Sequence, residues 1–319
     1  MHIYKSFDDA RALPRGGVVT IGNFDGLHLG HQALLQTLHA RARAFGPGTP
    51  KAVVTFDPHP MVYFKGLKPE DFYLSSVAQR VALLEAQGVD AVLILPFDHV
   101  LAAMSADDFV RAALVEAVGP REVWVGHDFR FGQGRGGSIA DLQRLGARYG
   151  FEAQALGAVV DATGAAISSS RVRALLDLGD VGQVRALLGR PYGLRGEVRR
   201  GDGRGKTLGV PTANIGGLPQ RMPALGVYVT TLTCDSLPGV TLHGVTNVGR
   251  RPTFHGALAE VVVETFLLDP QATALDLYDQ AVEVNLLKFL RPERRFDDAT
   301  ALVAQIQQDV QAARQLHGL

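Results

Sequence analysis

The chain has 319 residues, 46% of them hydrophobic, enough for two domains with filled cores. Its 32 Lys and Arg balance 32 Asp and Glu, so the excess of basic residues that marks a nucleic-acid binder is missing. The single Cys234 excludes an intramolecular disulfide, the N-terminal MHIYKSFDDARALPRGG lacks a signal-peptide core, and no run reaches the ~18 apolar residues of a membrane span; a soluble cytoplasmic protein is expected.

From Val18 to about Leu178 strands and helices alternate. Val18, Val19 and Ile21 read as a buried strand, and Leu34, Leu35 and Leu38 as one face of a helix. Between them Gly22, Gly26 and Gly30 let the backbone turn and approach a ligand, while His28 and His31 bracket the helix start, whose unpaired N–H groups suit a phosphate. A zinc site would need a third strong ligand beside this H-x-x-H pair, and the chain has too few cysteines to supply thiolates. Lys51 to Phe56 reads as the next strand. Ser76 and Gln79 form a capping box for a helix to Gln87, with Gly88 just past its end. Ala91 to Leu95 is a strand, Ser105 and Asp108 open a helix that Gly119 and Pro120 stop, and Glu122 to Val125 is extended. Ser138 and Asp141 open a helix to Tyr149, and Phe151 to Val160 supplies one or two strands.

Such alternation implies a parallel sheet covered by helices on both faces, with ligands at the carboxyl ends of its strands. Three further polar segments fall at those ends: Phe56-Asp57-Pro58-His59-Pro60, the Gly-rich loop Gly126 to Gly137, and Ile167-Ser168-Ser169-Ser170-Arg171-Val172-Arg173. Hydroxyls and Arg at a helix start suit a polyphosphate, although a Ser cluster there also reads as a plain cap.

A helix over Val181 to Leu188 stops at Gly189-Arg190-Pro191, and beyond it the texture changes. Tyr192 to Val198, Val227 to Leu232, His243 to Val248, Val261 to Leu267 and Ala281 to Leu287 read as strands without intervening helices, the pattern of a small antiparallel barrel. An amphipathic helix from about Asp298 closes the chain, with Leu302, Ile306, Val310 and Ala313 along one stripe. The boundary is expected near residue 185, giving domains 1–185 and 186–319.

The run Gly201 to Thr207 is not a P-loop, because Arg200 stands where the first Gly should be and Pro211 follows too soon for a helix. In the extended Leu208-Gly209-Val210-Pro211-Thr212-Ala213-Asn214 segment, Thr212 and Asn214 share a face, and their neutral oxygens suit Mg²⁺ carrying a nucleotide phosphate; a polar strand edge is the alternative. Glu264 interrupts the apolar Val261 to Leu268 strand, as a working carboxylate or a rim residue.

Taken together these motifs resemble the bifunctional riboflavin kinase and FMN adenylyltransferase family, the bacterial FAD synthetases. The first half carries G-N-F-D-G-L-H-L-G-H (Gly22 to His31), T-F-D-P-H-P (Thr55 to Pro60), V-G-H-D-F-R-F-G (Val125 to Gly132) and I-S-S-S-R-V-R (Ile167 to Arg173). The second carries L-G-V-P-T-A-N (Leu208 to Asn214), T-N-V-G-R-R-P-T-F (Thr246 to Phe254), V-E-T-F-L-L-D (Val263 to Asp269) and F-L-R-P-E-R-R-F (Phe289 to Phe296). Two departures are local: Ser170 replaces a frequent Thr, and Asp269 to Tyr278 is longer and more irregular than the usual acidic turn.

The resemblance implies a Rossmann-like α/β nucleotidyltransferase domain followed by a riboflavin kinase barrel with a C-terminal helix. The barrel would phosphorylate riboflavin from ATP with Mg²⁺, and the first domain would transfer an adenylyl group from ATP to FMN, giving FAD and pyrophosphate. Glu264 is the implied kinase base, Thr212 and Asn214 hold Mg²⁺, and His28 and His31 serve the transferase. ATP and its phosphates are assigned to Gly22, Asn23, Phe24, Asp25, Gly26, Gly30, Ser169, Ser170 and Arg173, and in the kinase to Gly205, Lys206, Gly209 and Pro211. Flavin contacts fall to Pro58, His59, Asp128, Phe129, Phe131 and Arg291. A chain with only one active half, or a barrel that merely carries flavin, are the competing readings.

Overall fold

The structure is a computed structural model that describes residues 1–200, 212–251, 260–270 and 275–319. It divides into two compact units, one comprising Met1–Lys68 and Val77–Ser169, the other Pro69–Ser76 and Ser170–Leu319. The strands are β1 (His2–Tyr4), β2 (Val18–Ile21), β3 (Lys51–Asp57), β4 (Ala91–Pro96), β5 (Glu122–Gly126) and β6 (Glu152–Leu156), then β7 (Tyr192–Arg199), β8 (Thr212–Gly216), β9 (Gly226–Cys234), β10 (Thr241–Arg251), β11 (Glu260–Leu267) and β12 (Ala281–Pro292). The helices are α1 (Phe7–Ala10), α2 (Leu29–Phe45), α3 (Pro60–Lys65), α4 (Pro69–Phe72), α5 (Val77–Ala86), α6 (His99–Ala103), α7 (Ala106–Phe109), α8 (Ile139–Tyr149), α9 (Ser169–Asp177), α10 (Val181–Leu188) and α11 (Ala299–His317); a π-helical stretch, Val110–Val118, continues α7.

In the first unit β1 to β6 form a parallel sheet in the order β1-β4-β3-β2-β5-β6. Alternate residues of one strand face opposite layers. Val19, Ile21, Val54 and Leu93 pack with Leu114 and Leu142, whereas Val18, Val53 and Val92 pack with Leu34, Leu35 and Leu38 of α2. With helices on both faces, all four residues of β2 are buried. The chain leaves β2 toward β3 on one side and returns as β5 on the other, so the order reverses beside β2 and opens a crevice beyond its carboxyl end. Ser138 and Asp141 form the expected capping box of α8, and Ser105 caps α7. The stretch after Phe151 yields the single strand β6, with Val160 and Ala166 joined only by an isolated bridge.

The second unit is a closed antiparallel barrel in the order β10-β11-β8-β7-β12-β9. Five of its strands carry the anticipated apolar runs; the sixth, β8, is the extended Thr212 to Asn214 segment. Val310 and Ala313 of α11 pack with Val227, Val229, Val245 and Leu268. Because a helix can reach only the outside of a closed barrel, these residues mark the outer face. Their alternates therefore line the lumen, where the fully buried Thr230, Thr246 and Thr265 hydroxyls join in a chain with two contacts of 2.8 Å. α11 is clamped to β12 by Arg291, whose Nε lies 3.0 and 3.1 Å from the Asp309 carboxylate oxygens and whose Nη2 lies 2.7 Å from Oδ2.

α9 and α10 belong to the second unit by packing from Ser170 onward, with Val181, Val184, Leu187 and Leu188 of α10 buried. The segment Pro69–Ser76 is tied into the same unit by Arg221, whose backbone N–H donates to the Tyr73 carbonyl and whose side chain donates to the Asp71 carbonyl and the Asp177 carboxylate.

Candidate functional site

In the first unit, β2 ends at Gly22, whose N–H donates to the Val54 carbonyl at 3.0 Å, and the chain turns through Asn23 to Leu27 before α2. Phe24 (φ 50°) and Leu27 (φ 41°) adopt the left-handed region although neither is glycine, so the loop is held in a strained shape. Asp25 and His28 are buried. His28 is the N-cap of α2, its Nδ1 accepting the His31 backbone N–H at 3.3 Å. The two imidazoles stack with centroids 3.7 Å apart and planes 15° apart, and the Phe24 ring lies 5.0 Å from that of His31. Gly30 lies close under this stack, where a Cβ would come within 3.1 Å of the His28 ring and press on it. Burial, then the facing His28 and Arg80, hold His31 well below the usual imidazole range. At neutral pH His31 is thus an uncharged hydrogen-bonding ring beside a helix N-terminus, and the positive end of α2 supplies the favourable field for an anion.

Ser169 joins this loop, its Oγ donating to the Asp25 carbonyl at 2.9 Å. Ser170 and Arg173 fall in the second unit, where the Arg173 Nε donates to the Phe72 carbonyl at 2.8 Å and its guanidinium covers the Phe72 ring at 3.8 Å. Pro58 follows a cis peptide bond from Asp57, and His59 caps α3, its Nδ1 accepting the Met61 N–H at 3.0 Å. Asp128 is exposed and Phe129 half-buried. Phe129 stacks on Phe131 with centroids 5.5 Å apart, and Phe131 is buried in the core against Phe109. The Phe129 to Phe131 pair therefore presents one ring outward from an apolar support.

In the barrel, register assembles the second constellation. Glu264 on β11 pairs with Asn214 on β8 and, across its other edge, with Asn247 on β10. Antiparallel partners share a face, so Glu264 and Asn214 project from the same side, together with Thr212 and Phe266 two pairs along. The row continues from Asn214 to Arg199 on β7 and from Asn247 through Val227 on β9 to Arg291 on β12. Val227 is an outer-face residue, so the whole row runs around the outside of the barrel. Arg291, which the resemblance assigns to flavin, pairs its guanidinium with Asp309 of α11. Gly205, Lys206, Gly209 and Pro211 lie outside the described residues, as do parts of the Thr246 to Phe254 and Asp269 to Tyr278 stretches. No cluster of three or more His, Cys, Asp or Glu side chains suited to a metal occurs among the described residues.

Sequence reading missed two participants. Asn247 lies inside the Thr246 to Phe254 motif but is singled out only by its position opposite Glu264. Arg80 is 1% exposed and bonds to the Asn23 and Phe56 carbonyls; a basic residue in an amphipathic helix reads as solvated, and nothing local signals that it turns inward.

The FAD synthetase family model matches residues 10–171, and the riboflavin kinase family model matches residues 188–317. The bifunctional riboflavin kinase/FMN adenylyltransferase of Pseudomonas fluorescens is 39% identical over 317 residues, covering 99% of this chain and 98% of that protein. The Escherichia coli (strain K12) protein of the same name is 39% identical over 311 residues, covering 97% and 96%. A solved structure named as a macrolide-efflux protein from Streptococcus pneumoniae, 30% identical, superposes with a TM-score of 0.85 over 98% of each chain. Among the described residues no helix is long and apolar enough to cross a membrane.

Proposed function

The chain belongs to the bifunctional riboflavin kinase/FMN adenylyltransferase family, making FMN from riboflavin and FAD from FMN, and from that premise we propose which residues do each step. The observation that best supports the assignment is register: it sets Asn214 directly opposite Glu264 in the barrel, while the stacked His28 and His31 pair belongs to the other unit.

In the kinase step a hydroxyl attacks the γ-phosphate of ATP. A hydroxyl is a poor nucleophile at neutral pH, and Glu264 is the base that takes its proton as the new P–O bond forms and the bond from the γ-phosphorus to the β,γ-bridging oxygen breaks, releasing ADP. Thr212 Oγ1 and Asn214 Oδ1 are hard, neutral oxygens on the same face, a donor set that fits Mg²⁺ already coordinated by phosphates better than it fits a transition metal. Mg²⁺ bound there supplies charge neutralisation for the transferring phosphoryl group.

In the transferase step the nucleophile is the phosphate of FMN, whose second pKa is about 6. It is already largely dianionic at pH 7 and attacks the α-phosphate of ATP without a base, expelling pyrophosphate. The work left to the protein is orientation and charge stabilisation. The N-terminus of α2, the neutral His31 and the Asn23 loop provide it, and Phe129, backed by Phe131, offers a ring for the flavin.

Incubation of the full chain with ATP and riboflavin, or with ATP and FMN, with Mg²⁺ and with excess EDTA, tests the assignment when FMN and FAD are resolved by chromatography. Both products should form with Mg²⁺. FMN formation that persists in EDTA would refute the Thr212 and Asn214 assignment.

A further inference from the structure

Arg80, on α5, is buried to 1% exposure and has no carboxylate in ion-pair range among the described residues. Its Nη1 donates to the Asn23 carbonyl at 3.1 Å, the Thr55 hydroxyl at 3.1 Å and the Phe56 carbonyl at 3.0 Å, and the Thr55 hydroxyl itself donates to the Asn23 carbonyl at 3.1 Å. One guanidinium nitrogen thus ties the loop after β2 to the carboxyl end of β3, the two strand ends that border the crevice. Its Nε and Nη2 are buried without hydrogen-bond partners, as are Asn23 Oδ1 and His31 Nδ1. Burying an unneutralised cation with open N–H groups is costly, and a Met or Leu would fill the same space without that cost. A charge kept under those terms needs a use. In a low-dielectric interior its field reaches well beyond contact distance, and the neighbouring α2 N-terminus is where anionic phosphates would gather.

We propose that Arg80 is a positioning residue for adenylyl transfer, which fixes the Asn23 loop against β3 and sets an uncompensated positive charge behind the His28 and His31 pair. The proposal rests on the reading of that pair as the transferase site. Arg80 acts at one remove: it touches the Asn23 carbonyl rather than the substrate. The titratable groups that face His31 are His28 from its own loop and Arg80 from α5, with the neutral Phe24 ring beside them. Loss of the cation at 80 therefore moves the acid limb of the transferase profile upward, whereas Lys at 80, which keeps the charge, leaves it in place.

The test uses the full chain carrying Arg80→Met or Arg80→Lys, with FMN adenylylation followed from acid to neutral pH and riboflavin phosphorylation as an internal control. A loop displaced by about 1 Å costs ~10²-fold in rate, so kcat for FAD formation should fall by that order in the Met variant, with KM changed less. Lys restores the charge but not the three-way contact, and should recover about tenfold of the loss while leaving the acid limb in place. Phosphorylation should be unchanged in both. Wild-type kcat in a folded Met variant would overturn the proposal, as would equal losses in both variants with an unmoved acid limb. Should the Met variant not fold, the Lys variant decides alone: a reduced kcat with an unmoved limb supports the positioning role, and a wild-type kcat overturns it. His31→Ala measured in parallel separates the premise, because FAD formation at the wild-type rate there would refute the transferase site itself.

Discussion

Asp309→Asn should loosen the C-terminal helix from the barrel, and the Arg291 clamp allows the size to be worked out. The pair makes three N–O contacts of 2.7 to 3.1 Å, with the Arg291 side chain 19% exposed and that of Asp309 8% exposed. At an effective dielectric of ~20 two unit charges 4 Å apart attract by about 4 kcal/mol, and removing one partner of a buried pair costs ~3–5 kcal/mol. Asn keeps one acceptor for the guanidinium, so the lower end applies, about 3 kcal/mol. For a unit of this size that is a fall of about 10 °C in the melting transition. Scanning calorimetry would read it, and hydrogen exchange should show the loss in α11 first. Replacing both residues by Leu should regain much of the loss, since the uncompensated charge is then gone. A single variant that melts within about 1 °C of wild type, or a double variant whose loss equals the sum of the singles, would show that the clamp contributes nothing and return Arg291 to other duties.

A crossed pair of variants separates the two nucleophiles. Glu264→Gln should lower FMN formation by ~10²–10⁴-fold while leaving conversion of supplied FMN to FAD intact. His31→Ala should do the reverse, at ~10²–10³-fold; loss of both activities in either folded variant would mean one shared centre. A fragment from Asp180 to Leu319 keeps the N-cap bond from the Gln183 N–H to Asp180 at 2.9 Å and all of α10, and should fold and make FMN, whereas one starting at Val184 cuts through α10 and should melt lower. If the longer fragment folds but makes no FMN, the halves are not separate catalysts. Because His31 is held below its ordinary value of 6.5, the unfolded chain takes up a proton there that the native state refuses. Stability should accordingly rise with pH between the depressed value and 6.5, and His31→Gln should flatten that slope in urea titrations; an unchanged slope would place the ring outside a desolvated site.

Periodicity made most of this architecture legible, because burial on two sheet faces and on one helix stripe leaves different spacings of apolar residues. Val18 to Ile21, the α8 capping box and the Val181 to Leu188 helix stand where those spacings put them. β1 escaped notice, since three residues at a sheet edge carry too short a pattern to recognise, and β8 was visible only as an extended polar segment. The loop histidines were legible because their spacing is local. Arg80 and Asn247 were not, because what distinguishes them is a neighbour far along the chain: Asn23, 57 residues away, for one and the pairing of β10 with β11 for the other. Arg291 shows the converse. Its motif suggested a ligand, and the structure adds a partner that the motif does not announce, a carboxylate on a helix 18 residues later.

Closure of the barrel sets a rule for how this half of the protein can change length. The row of partners from Arg199 through Asn214, Glu264, Asn247 and Val227 to Arg291 exists only while five registers agree. A substitution alters one member, but a single inserted residue in β11 ahead of Glu264 inverts every side chain after it. The carboxylate would then face the lumen, among the threonine hydroxyls, and an apolar side chain would stand opposite Asn214. No free edge exists to absorb the slip. Insertions and deletions among descendants of this sequence should therefore collect between strands, and lineages that carry one inside β8, β10 or β11 should have lost kinase activity outright rather than by degrees.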